Sequence, residues 1–230
     1  MFRLLSLLVL VLLPVATQAG PWPREKRSLF LAFSNSISAK SDTAYATGTS
    51  LYLEYGLTSR LTVGVDAYLG PTGDPSEGYL FLQFPIGKTN RPSRMALSFA
   101  LGQKSTPNPW GTTTNQSFAK IGAAWGRGLK NGWLAVDTYV TAPLNQPDIA
   151  ATDAMAYSAD FTWGIKPSDR LMLIWQLQTG KPAIGETYIK FAPSLIWSIG
   201  KKSNQIEIGI VTGLYGDDSR NLKLGLWKTF

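Results

Sequence analysis

The chain has 230 residues, 22 Lys and Arg against 15 Asp and Glu for a formal charge of +7, and neither His nor Cys. Without those two residue types there is no Ser-His-Asp or Cys-His nucleophile system, no common zinc site, no haem-attachment motif and no disulfide framework. The basic residues are scattered rather than gathered into a helical stripe, which also sets nucleic acid aside as a partner.

Residues 1–19 place Arg3 ahead of the apolar run LLSLLVLVLLPVA and end in Thr17, Gln18 and Ala19. A basic start, a short apolar stretch and a small-residue site read as a secretory signal peptide, too short to cross a bilayer comfortably as a helix. Residues 20–27, GPWPREKR, then form a periplasmic N-terminal segment ahead of the folded domain, 28–230.

From Ser28 to the end, extended alternating segments recur and no helical period emerges. In LYLEYGLTSRLTVGV, residues 51–65, Leu51, Leu53 and Tyr55 share one face of a strand and Tyr52 and Glu54 the other. A turn at Gly56 to Arg60 follows, and Leu61, Val63 and Val65 resume the apolar face. Successive strand residues point to opposite faces, so this is a hairpin with one apolar and one polar side. The pattern predicts strands at 28–34, 47–55, 61–69, 78–86, 95–103 and 117–126. It continues with 133–141, 154–164, 171–178, 187–199, 205–212 and 221–230. Most are near the ten residues that a tilted strand needs to cross a bilayer.

The connections alternate in length. Short ones fall at 56–60, 128–131, 166–170 and 200–204, and longer ones rich in Pro, Gly, Asn and Asp at 35–46, 70–77, 104–116 and 143–153. An even strand number with short turns at one end and long loops at the other predicts an all-β fold. The expected form is a closed antiparallel transmembrane β-barrel of about twelve strands, with short periplasmic turns and longer extracellular loops.

An aromatic recurs on the apolar face near the end of every second strand: Tyr55, Phe84, Trp125, Trp163, Trp197 and Phe230. A soluble sandwich has no reason to hold amphipathic rings at one common height, whereas a membrane interface does. These six are the expected periplasmic aromatic girdle, with Leu51, Leu53 and Tyr55 toward lipid and Glu54 toward the lumen.

The last ten residues, NLKLGLWKTF, set Leu222, Leu224 and Leu226 on the face of the terminal Phe230. This resembles the C-terminal signal strand of bacterial outer-membrane proteins, which implies recognition by the barrel-assembly machinery and location in the bacterial outer membrane. Lys228 departs from that pattern, where an apolar or aromatic residue is usual; its stem can lie along lipid with the amine at the headgroups. The whole mature chain, in hairpins such as YGLTSRLTVGVDA, is similar to the small transporter-type barrels of Gram-negative bacteria, including those associated with aromatic-degradation pathways. No functional residue is carried over from that resemblance.

Pro193 lies inside a predicted strand, and Pro cannot donate to a ladder, so a bulge or a missing bond is expected there. Alternation turns Glu54, Asp66, Lys120, Asp137, Asp160, Lys190, Glu207 and Lys223 inward. Of these, Lys120, Asp137 and Asp160 fall on three adjacent strands at similar height and form the candidate lumen constriction, either a selectivity site or part of an ion-pair network that fills the interior. Tyr52, Tyr68, Tyr139 and Tyr188 form the candidate aromatic lining, with Tyr79, Phe81, Phe118 and Trp133 also inward; the rings either line a track or pack the lumen. Basic residues gather in the N-terminal segment and short turns and acidic ones in the long loops, so the outer mouth is expected to favour cations or bridges to lipopolysaccharide.

The expected function is a narrow passive pore or transporter for a small solute. The alternative is a closed structural or surface-interaction barrel without transport. An enzyme is not expected, and no cofactor or metal is implied. The expected partners are outer-membrane lipid and lipopolysaccharide, the assembly machinery and a small solute.

Overall fold

The computed structural model describes residues 20–41, 44–72, 74–88, 91–108, 110–144, 155–200 and 203–230. Twelve strands follow one another: β1 (Leu29–Ser41), β2 (Ala44–Thr58), β3 (Leu61–Leu69), β4 (Ser76–Ile86), β5 (Ser93–Pro107) and β6 (Thr113–Leu129). They continue with β7 (Gly132–Pro143), β8 (Ala156–Ile165), β9 (Leu171–Lys181), β10 (Tyr188–Ile199), β11 (Asn204–Tyr215) and β12 (Arg220–Thr229). Each pairs antiparallel with its sequence neighbours, and β1 closes on β12 through a register running from Phe30↔Thr229 to Ser38↔Asn221. Leu29 and Phe230 finish the seam by exchanging backbone hydrogen bonds. Closure leaves no open sheet edge.

Two of the expected long loops are strand instead. Asn35 to Ser38 pair with Thr49 to Ala46 in the β1–β2 ladder, and β5 and β6 stay paired out to Pro107↔Thr113. Polar Ser, Asn and Thr on both faces carry no apolar alternation to read, yet they ladder well where both faces of a hairpin meet water. The expected loop at 143–153 lies outside the described residues beyond Leu144, as do Asp42, Asp148, Asp153, Lys201 and Lys202.

Side chains sort as the alternation requires. Leu80, Leu101, Ile208 and Leu226 are outward and at least half exposed, while Glu54 (1%), Thr62 (0%) and Glu207 (2%) are buried inside. The β10–β11 register holds from Phe191↔Thr212 to Ser194↔Gly209, but Ala192 and Pro193 are skipped, so Pro193 interrupts the ladder without shifting it. The nearby bulge lies at Ile189 and Lys190.

Candidate functional site

The lumen is divided into an apolar floor and a cavity of mixed lining that holds most of the inward charges. At the short-turn end, Trp133, Ala135, Met172 and Ile196 form a buried cluster, packed by Trp22, Ile174 and Trp227. Met172 and Ile196 are cross-strand partners, so both point inward from adjacent strands. An apolar pair at inward positions was a legible sign that this end is filled rather than wet.

The N-terminal segment completes that floor. Pro21 is fully buried, and a methyl group added at Gly126 would lie 2.3 Å from the Trp22 ring, so the ring rests directly on β6 backbone. The Arg24 backbone N–H donates to Thr62 Oγ1 at 3.0 Å, its guanidinium pairs with Glu54, and its Cζ stands 4.2 Å above the Phe30 ring. Tyr52 Oη donates to the other Glu54 oxygen at 2.7 Å. A buried carboxylate is tolerated when it is paired and hydrogen-bonded in this way. Arg27, at φ 69°, turns the chain into β1, and its N–H donates to the Gly56 carbonyl at 2.7 Å. The main chain of Glu25 passes so close to Gly56 that a Cβ there would sit 2.0 Å from its carbonyl oxygen. Residues 20–24 therefore enter the barrel and plug its short-turn end, and the exposed Glu25, Lys26 and Arg27 lead from the plug to β1. Sequence reasoning missed this because an Arg24–Glu54 pairing leaves no local pattern.

Above the floor lies a cavity of about 350 Å³ whose lining includes Asp66, Lys120, Asp137, Tyr139 and Asp160. Asp137 and Asp160 are direct cross-strand partners on β7 and β8. Lys120 shares the cavity, but its ladder partner is Thr141, four residues along β7 from Asp137; its amine lies 3.8 Å over the Tyr79 ring and 5.5 Å from that of Tyr139. The constriction residues thus form a facing carboxylate pair and an ammonium set further toward the long loops. Glu207 is occupied separately, accepting from Lys223 Nζ at 3.0 Å, Ser194 Oγ at 2.8 Å and Trp227 Nε1 at 2.9 Å.

The inward rings are held against the wall. Tyr79 lies opposite Gly102, Phe81 opposite Gly64, Trp133 opposite Gly164 and Tyr139 opposite Gly122. At each of these glycines a Cβ would come within 2.6 Å of the facing ring. A missing side chain lets an aromatic fold flat over the neighbouring strand, as when an aromatic covers a strand glycine. Tyr52 stacks on Phe81 with centroids 5.6 Å apart, while Tyr68 and Tyr188 place their hydroxyls near Gly48 and Gly180.

At the long-loop end a second cavity, about 570 Å³, is lined by residues including Ser36, Tyr68, Asp74, Lys190 and Arg220. Lys190 Nζ, from that lining, donates to Asp217 at 2.8 Å. Outside the strands, Lys166 sits in the β8–β9 turn with its amine 5.6 Å from the Trp133 ring, and burial pulls its pKa below the usual lysine value.

Tyr55, Phe84, Trp125, Trp163, Trp197 and Phe230 are all outward and 36–60% exposed. Trp163 stacks on Trp175 at 4.9 Å, and Lys228 Nζ stands 4.5 Å over the Phe230 ring. Leu222, Leu224 and Leu226 share their face.

No family model matches the chain, and no curated protein matches it in sequence. Solved structures resemble it in fold. The KdgM porin in complex with disordered oligogalacturonate superposes with a TM-score of 0.62 at 7% identity, covering 87% of this chain and 99% of its own. An outer membrane channel from Pseudomonas putida F1 gives 0.58 at 12% identity over 94% and 100%, and the NanC porin 0.58 at 12% over 86% and 98%. At these identities the likeness is one of architecture: a twelve-stranded barrel similar in shape to porins.

Proposed function

We propose that this chain is a bacterial outer-membrane β-barrel that acts as a narrow passive pore or transporter for a small solute. The observation that carries this reading is the inversion of the fold: an outer belt of exposed Leu, Ile and Phe encloses a cavity of about 350 Å³ into which Asp66, Lys120, Asp137 and Asp160 project. Only lipid makes such a belt favourable around a closed ladder. Porin-like relatives in shape support the same reading. Residues 1–19 act as the secretory signal, Tyr55, Phe84, Trp125, Trp163, Trp197 and Phe230 sit at the periplasmic headgroups, and the long loops face lipopolysaccharide. The C-terminal strand is read by the barrel-assembly machinery.

The test is conductance of the purified protein in planar bilayers, compared with Arg24→Ala. Removing the guanidinium leaves Glu54 buried without its charge partner and frees the plug, so unitary conductance rises several-fold. A wild type and a variant that both remain electrically silent, while folded, would leave a closed structural barrel instead. An epitope placed beside Asn115 is reached on intact cells and one beside Asn131 is not; the opposite labelling would reverse the orientation.

A further inference from the structure

Gly20 opens onto the same cavity as Asp66, Lys120, Asp137 and Asp160. Its carbonyl accepts a hydrogen bond from Gln83 Nε2 at 2.7 Å, which fixes the main chain there, and a Cβ added to it would lie 3.3 Å from Ala135 Cβ. Ala135 and Asp137 point the same way on β7, two residues or about 6.6 Å apart along the strand. Asp160 stands directly across from Asp137. The Gly20 backbone is thus held one inward step from two facing carboxylates.

The charges around that point are unequal. Glu54 is paired with Arg24 and Glu207 with Lys223. Neither Asp137 nor Asp160 has an ion pair at contact distance among the described residues, and Lys120 is drawn over the Tyr79 ring. An amide nitrogen at Gly20 adds no charge to this balance, whereas a free amine does.

We propose that proteolytic removal of residues 1–19 turns the Gly20 nitrogen into an α-ammonium that binds Asp137 and Asp160, and that this contact seats residues 20–24 in the lumen. Water cleaves the Ala19–Gly20 peptide bond under a signal-removing protease; the new carboxylate departs with Ala19, and the Gly20 nitrogen takes up protons to become the ammonium. The inference rests on the leader and lumen assignments made above. It gives signal removal a second consequence, since the same cut that releases the chain also creates the cation that anchors its plug. The charged groups that line the cavity with Gly20 are Asp66 from β3, Lys120 from β6, Asp137 from β7, Asp160 from β8, Glu207 from β11 and Lys223 from β12, with the Tyr52, Tyr79 and Tyr139 hydroxyls from β2, β4 and β7.

The test uses the full chain exported with its own leader and purified from outer membranes. Intact mass identifies the first residue, and reductive methylation with ¹³C-formaldehyde gives an α-amine signal whose titration is followed by NMR. The expected result is a chain beginning at Gly20 whose amine titrates at least about one unit above the ordinary α-amino range of about 7.7–8.0. In Asp137→Asn with Asp160→Asn the midpoint returns to that range. A chain that begins at Gly20 but titrates in the ordinary range, and does not respond to the variant, overturns the inference and leaves the leader assignment standing. A different first residue overturns both. If the double variant does not assemble, the wild-type midpoint and Asp160→Asn alone decide the matter. Conductance is measured separately, so a silent barrel would fail the pore reading without touching this one.

Discussion

Tyr139 lies flat over Gly122, its cross-strand partner, so closely that a Cβ on the glycine would meet the ring at 2.6 Å and Ser98 Oγ at 2.4 Å. The ring is therefore part of the wall, and the bore of the cavity is set by what stands opposite it. Gly122→Ala should destabilise the folded barrel by about 1–3 kcal/mol, the usual cost of overpacking. Gly78→Ala, whose added carbon meets only Ala67 Cβ at 3.8 Å, is the control and should cost little. Urea unfolding in detergent measures both. Combining Gly122→Ala with Tyr139→Ala should recover part of the loss, because the two sites share one contact; strict additivity would mean that the ring is not what the glycine accommodates.

If the cavity conducts, the facing carboxylates Asp137 and Asp160 should make it prefer cations. Asp137→Asn together with Asp160→Asn removes two fixed charges and should shift the reversal potential in a KCl gradient toward the non-selective value. An open barrel whose reversal potential stays put would place the selectivity elsewhere in the lumen.

Acid should loosen the long-loop mouth only at low pH. Partial burial pushes the Asp217 pKa up, but hydrogen bonds from Lys190 and from the Ser219 backbone amide, with the Lys190 charge, outweigh it and hold the carboxyl below its ordinary value. A depressed folded pKa means that the contact contributes fully above the unfolded value, about 3.9, and is lost as pH falls through the folded one. The effect on global stability is small because the pair lies at the mouth and keeps contact with water. The Ser219 amide, which donates to Asp217 Oδ1 at 2.7 Å, reports it by NMR. Its shift should titrate with a midpoint below 3.9 and not at all in Asp217→Asn. A midpoint at or above 3.9 would contradict the pairing.

Deleting Phe230 should block assembly far more than it weakens the finished barrel. Losing one boundary ring costs on the order of 2 kcal/mol by burial, and a closed ladder in lipid survives that because opening it would strand many backbone groups. The truncated chain should accumulate in the periplasm or be degraded in cells, yet fold in detergent with a heat-modifiable gel shift. Normal insertion in cells would remove the signal-strand assignment; failure in detergent would make the ring structural, through the Leu29–Phe230 backbone pairing.

Facing was legible wherever alternation was chemically sharp. Glu54 between Leu53 and Tyr55, or Lys223 between Leu222 and Leu224, has only one sensible orientation. The polar hairpin ends at 35–46 and 104–116 had no such contrast and read as loops, although the ladder continues through them. The plug was illegible for another reason. Arg24, Trp22 and Gly20 reach their partners Glu54, Gly126 and Gln83 across 30 to 104 residues of sequence, and no local period encodes a contact of that kind. Lys120 was assigned to the right compartment but not to its place within it, because alternation gives the face of a strand and not the register between strands.

The β1–β12 seam joins residues roughly 200 apart in sequence, so it is the one pairing that cannot form until the entire chain is present. Residues 20–24 lie inside the ring that this seam shuts and lead through residues 25–27 into β1, one of its two strands. Plug and seam therefore share one continuous stretch of chain, so a change that unseats the first pulls directly on the strand that closes the second.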